Sequence, residues 1–148
     1  MQFPSPCPEI PVANLAAALA YYRDRLGFKI DWADDGNNGL AGLSRGDTRV
    51  FMTTPASRSH EEFQAPIVLW LNLSSRAEID TLHGEWVAAG AIITAPPEAK
   101  PYKLYEFFAQ DVDGNVFRVF YDFHWEERTG ESRQAAAISG IPESPAVK

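Results

Sequence analysis

The side chains with the most chemical capacity in this chain gather toward its second half. Glu106 and Arg118 lie in two apolar stretches, Leu104 to Gln110 and Val116 to Asp122, separated by a single turn. A guanidinium offers a planar fork of donors that suits a ligand's carboxylate or phosphate, and equally a carboxylate on a neighbouring strand, Glu106 or Glu9; the internal pair is the favoured reading. Glu9 and Glu106 could instead bind an amine or serve as a general base, because partial desolvation raises a carboxyl pKa. No acid partner for such a base stands out. Trp32, Trp70, Tyr102, Tyr105 and Phe108 could stack on a flat ligand, or fill the interior or the seam of a dimer. Cys7, between Pro6 and Pro8, reads as a small buried side chain rather than a nucleophile. Asp111, Asp113 and Gly114 are turn residues without calcium-loop spacing.

These residues need elements to position them, and the chain writes the same set of elements twice. Asn14 is an N-cap, Leu15, Leu19, Tyr22 and Leu26 recur at helical spacing, and Gly27 suits the left-handed position after a helix, which predicts a helix over 15–26. Strands are predicted over 28–34, 40–44 and 48–53, with turn chemistry at 35–39. Residues 55–64 are polar and match neither period, so they read as a linker. The second unit opens with a strand over 67–73. The capping box Ser75-Arg76-Ala77-Glu78 starts a helix striped by Ile79, Leu82 and Trp86 and closed by Gly90. A strand over 91–94 is expected to stop at Pro96 and Pro97, and strands over 104–110 and 116–122 close the unit. The divisions are therefore a first repeat over 1–54, a linker over 55–65, a second repeat over 66–123 and a tail over 124–148.

Alternation along the strands assigns faces. If Leu69, Leu71 and Leu73 pack on a helix, Val68, Trp70 and Asn72 face a concavity; likewise Phe117, Val119 and Tyr121 belong to the core and Val116, Arg118 and Phe120 to the cup. Phe51, on the corresponding strand of the first repeat, joins the cup set. The expected fold is α+β, two tandem βαβββ repeats forming a curved mixed sheet around a concave cavity.

Composition narrows the function classes. With 148 residues and 45% hydrophobic content the chain can bury a real core. A net charge of −7 argues against nucleic acid, which needs clustered Lys and Arg. A single cysteine allows no intrachain disulfide, and no apolar stretch nears the roughly 20 residues of a membrane helix, so cytoplasmic residence is the expectation.

The motifs Val12-Ala13-Asn14-Leu15 with Tyr21-Tyr22-Arg23-Asp24-Arg25-Leu26-Gly27-Phe28, and Glu106-Phe107-Phe108 with Asp111-Val112-Asp113-Gly114-Asn115, resemble the vicinal oxygen chelate superfamily of glyoxalases, extradiol dioxygenases and bleomycin resistance proteins. Enzymes of that family hold a divalent metal with His, Gln and Glu from the first and last strands of the repeats. The resemblance carries those positions onto Cys7, Val68 and Arg118, of which Val68 cannot ligate and Arg118 would repel a dication. His60, His83 and His124 fall outside the strands. The bleomycin resistance branch is the nearest likeness, through Phe28 to Asp35, Leu69 to Leu73 and Pro101-Tyr102. It implies a homodimer that binds an aromatic or cationic small molecule without metal, cofactor or chemistry, at Trp32, Phe51, Val68, Trp70, Asn72, Tyr102, Tyr105, Glu106, Phe108 and Arg118. The alternatives are a metal-dependent glyoxalase-type lyase or isomerase, or a dioxygenase-like enzyme, and a partner-binding module whose tail inserts into a neighbouring chain. No nucleic-acid or membrane partner is expected.

Overall fold

A computed structural model describes residues 1–34, 39–58, 60 and 65–129. The first repeat runs β1 (Glu9–Pro11), α1 (Leu15–Asp24), β2 (Lys29–Asp34), β3 (Leu40–Arg45) and β4 (Thr48–Thr53). The second runs β5 (Val68–Asn72), α2 (Arg76–Ala89), β6 (Ile92–Ala99), β7 (Leu104–Gln110) and β8 (Val116–Asp122), followed by α3 (His124–Thr129). The sheets have the orders β1-β4-β3-β2 and β5-β8-β7-β6, so each repeat builds the same four-stranded pattern. In both, the first strand runs parallel to the last and the other pairs are antiparallel. The fold is α+β with two mixed sheets that remain unclosed.

Local signals explain most boundaries. The Asn14 side chain accepts a hydrogen bond from the Ala17 N–H at 2.9 Å, satisfying a free donor at the start of α1. Ser75 accepts from the Glu78 N–H at 3.1 Å, while the Glu78 carboxylate accepts from Ser74 N–H at 2.7 Å, so the box clamps the start of α2 from both sides. Gly90, at φ 83°, ends that helix in the left-handed conformation.

Two boundaries differ from the sequence expectation. β6 does not stop at Pro96 and Pro97 but continues to Ala99. It is an edge strand, and its register against β7 shifts between Ile93 and Ala95 and again between Ala95 and Glu98, so the prolines sit where no ladder donor is required. The start of the tail forms α3, with Trp125 buried and Arg76 near Glu126 at 3.5 Å. The remainder of the tail, 130–148, the turn at 35–38 and positions 59 and 61–64 of the polar linker lie outside the described residues.

One core unites the repeats. Tyr22 and Phe28 from the first repeat pack against Phe117 from the second, at ring separations of 5.8 and 6.2 Å, and Trp86 packs on Phe107 and Phe117. The Trp86 indole also donates to the Leu26 carbonyl at 3.1 Å. A buried polar network adds a second bond between the halves. Tyr22 donates to Asp111 at 2.7 Å, and the fully buried Asn115 amide donates to the Pro11 carbonyl at 3.0 Å and to Asp111 at 2.8 Å. Helices and buried sheet faces are thus turned toward one another. The opposite face of each sheet is left uncovered by the described residues, with Trp32, Val68 and Trp70 exposed there.

Candidate functional site

That uncovered face of the second sheet holds the strongest constellation. On β8 the alternation is clean: Phe117, Val119 and Tyr121 are buried, and Val116, Arg118 and Phe120 face outward, as the sequence predicts. On β7 the outward set is Leu104, Glu106, Phe108 and Gln110, because Glu106 pairs with Phe120 and Phe108 with Arg118. Val68, Trp70 and Asn72 present the same face on β5, where Trp70 lies directly opposite Arg118.

Arg118 is the centre of the group. Its Nε donates to Glu106 Oε1 at 2.8 Å and its Nη2 to Oε2 at 3.1 Å, a side-on bidentate pair. The carboxylate of Glu106 is fully buried, whereas the Arg118 side chain keeps 22% of its exposure. Tyr102 completes the arrangement by donating its hydroxyl proton to Glu106 and accepting from Arg118 Nη2 at 3.0 Å. The turn that carries Tyr102 is closed by Lys103 N–H donating to the Lys100 carbonyl and places Lys103 at φ 71°. Aromatic rings surround the guanidinium, with its carbon 4.0 Å from the Trp70 ring centre, 5.1 Å from Phe108 and 5.7 Å from Tyr102. Trp70 in turn packs edge-on against Phe120 at 5.5 Å.

Electrostatics follow from this geometry. The hydrogen bond to Glu106 raises the Tyr102 phenol above its usual value, and the same carboxylate raises Arg118, so Tyr102 keeps its proton and Arg118 its charge through neutral pH. Both oxygens of Glu106 are engaged, so it does not offer the open acidic contact that a cationic ligand would seek. The triad presents rings and donor hydrogens instead.

The first sheet carries a smaller group. Trp32 lies against Phe51 at 5.7 Å and over Gly42, where an added Cβ would come within 2.5 Å of the indole nitrogen. Glycine at 42 therefore makes room for the ring. Glu9 accepts from Thr53 Oγ1 at 3.1 Å, and burial raises the Cys7 thiol, which disfavours the thiolate a nucleophile needs.

Tyr105 is not part of either group. It points to the core side of β7, its hydroxyl donates to Asp80 on α2 at 2.7 Å, and Arg76 sits 5.4 Å over its ring. Tyr105 and Glu106 are neighbours on a strand and must face opposite ways; the expectation that both line the cup is corrected accordingly. Trp32 and Phe51 lie on a different sheet from Trp70, Tyr102, Phe108 and Arg118, so one chain does not bring all the expected residues together. Sequence reasoning missed how Tyr102 reaches across to the Glu106–Arg118 pair; the adjacent Pro101 turn was its only signal.

The metal that the family implies does not fit these residues. By register, Glu9 opposite Phe51 is the first-sheet counterpart of Trp70 opposite Arg118. The last-strand position thus holds a phenyl ring in one repeat and a carboxylate-bound guanidinium in the other, neither of which ligates a cation. Among the described residues no three His, Cys, Asp or Glu side chains are placed to hold an ion. No helix among them is long and apolar enough to cross a membrane.

Comparison with known proteins agrees with this architecture. The sequence profile of the Glyoxalase/Bleomycin resistance protein/Dioxygenase superfamily matches residues 7–119. The chain belongs to that superfamily. Among solved structures, a glyoxalase/bleomycin resistance protein/dioxygenase from Nocardioides matches at TM-score 0.66 and 17% identity, over 90% of this chain and 89% of the other. TioX from Micromonospora sp. ML1 matches at 0.66 and 19%, over 80% and 99%. Lactoylglutathione lyase from Agrobacterium tumefaciens matches at 0.66 and 18%, over 82% and 96%. At such identities these likenesses speak for the fold alone. No curated protein gives a match.

Proposed function

We propose that this protein is a metal-independent binder of flat aromatic small molecules, of the bleomycin resistance type, that works as a homodimer. The observation that carries the reading is the face around Arg118: Trp70 and Tyr102 are each 53% exposed although both are large rings, and they stand beside a guanidinium fixed by Glu106. Large exposed aromatics on a rigid sheet supply stacking area at little entropic cost. The same face supports a dimer. Val68 and Trp70 on one sheet, Tyr102 on the turn before β7 and Trp32 on the other sheet are exposed within the chain, and a second copy laid across them would bring the two aromatic groups to opposite walls of one cleft. An antibiotic-like polycyclic compound is the class of ligand such a cleft would sequester. Titration of tryptophan fluorescence with flat antibiotics and bleomycin-like compounds, with a chelator present throughout, tests the reading. Saturable quenching by at least one of them is expected; absence of quenching by all, or quenching that requires added divalent metal, overturns it.

A further inference from the structure

Resting on that reading, we infer that Arg118 selects, among flat aromatic ligands, those bearing a single in-plane neutral acceptor of the carbonyl type, in preference to carboxylates. A guanidinium has five N–H groups. Nε–H and an Nη2–H are given to Glu106, and Nη2 also donates to the Tyr102 hydroxyl on the same side. Among the described residues Nη1 has no hydrogen-bond partner and it is not fully buried, so it can donate to a ligand. Fork recognition of a carboxylate draws on donors from two guanidinium nitrogens, and both Nε and Nη2 are already committed. What remains is one nitrogen, which suits one acceptor.

Charge points the same way. Glu106 lies in direct contact with the guanidinium and is fully buried, so its negative charge is undiluted by water and offsets the cation that an anionic ligand would seek. A ligand carboxylate arriving at Nη1 would face Glu106 behind it, whereas a carbonyl would accept a charge-assisted hydrogen bond without that repulsion. The plane of the guanidinium is covered by Trp70 at 4.0 Å, so the ligand's ring is left to stack on the aromatic side chains while its acceptor reaches the Nη1 edge. Stacking supplies adhesion, and the edge supplies orientation and choice.

The test compares three probes of one shape, 2-naphthamide, 2-naphthoate and 2-methylnaphthalene, by tryptophan quenching and by calorimetry on the full chain. One charge-assisted hydrogen bond predicts that the amide binds about tenfold tighter than the methyl compound. The naphthoate is expected to bind no tighter than the amide. In the double variant Glu106→Gln, Arg118→Gln, which removes both charges together, the preference of amide over methyl should fall to about twofold or less. Because the double variant could unfold the sheet, the single variant Tyr102→Phe serves as the second arm: it relieves Nη2, beside Nη1, of one acceptor and should improve the naphthoate relative to the amide. Equal affinity for all three probes in the wild type overturns the inference while leaving the stacking site intact. Tightest binding of the naphthoate overturns it as well, and quenching by none of the three counts against the binding site itself.

Discussion

Arg118 and Glu106 show how much one residue's environment decides. A buried carboxylate is costly unless its charge is met and its oxygens are bonded, and here Arg118 and Tyr102 do both. Arg118→Met should therefore lower stability by about 3 kcal/mol, the low end of the range for breaking a buried pair because Arg118 keeps some exposure, whereas Arg118→Met combined with Glu106→Leu should recover most of the loss. Urea unfolding of the wild type, both single variants and the double variant measures it; an additive double variant would mean that the pair is not coupled. Tyr22 gives a pH prediction. Burial, and then the nearby Asp111, raise its phenol well above the ordinary value, so the folded state keeps a proton that the unfolded chain releases at about pH 10. The folded state then binds more protons than the unfolded one, and its stability is held below about pH 10 and falls as pH climbs toward the folded value. Tyr22→Phe should flatten that alkaline decline, as read from unfolding midpoints between about pH 8 and 11. An unchanged slope would assign the decline to other groups.

Secondary-structure elements were mostly legible because their signals are local. Capping residues set both long helices, and the two-residue alternation on β8 sorted Arg118 from Phe117 correctly. The misses have physical causes. Pro96 and Pro97 forbid a regular ladder but are tolerated by an edge strand that bulges, and edge position is a property of the sheet order rather than of the segment. Tyr105 was misplaced because aromatic type was weighed without strand parity. The bond between repeats was also invisible locally: Asp111 and Asn115 looked like turn residues and are, yet the Asn115 amide also reaches Pro11 and its oxygen accepts from Ile67 N–H at 3.0 Å. Asn115→Ala would strand these buried groups and should cost about 3 kcal/mol, with the slope of the denaturant dependence unchanged if both repeats still unfold together. A second unfolding transition would instead show that the repeats are held together mainly through this contact.

At the scale of the whole molecule, the chain spends its apolar surface on one shared core and leaves two aromatic faces outward. The charge of −7 argues against nucleic acid, and the role proposed above is recognition of a small molecule by rings and one guanidinium edge. If a second copy completes the cleft, sedimentation should give a species of twice 16.4 kDa at micromolar concentration, and Trp70→Asp, which puts a charge on that face, should shift it toward the monomer. A monomer at all concentrations would remove the dimer from the account. On the proposed function, this face binds a flat ligand through Trp70 without a metal. Calorimetric titration of chelator-treated wild type and Trp70→Ala with a quenching antibiotic tests it most directly: saturable binding by the wild type and at least about a tenfold weaker constant for the variant are predicted. Equal binding by both proteins, or binding by the wild type only after a divalent metal is restored, would contradict it.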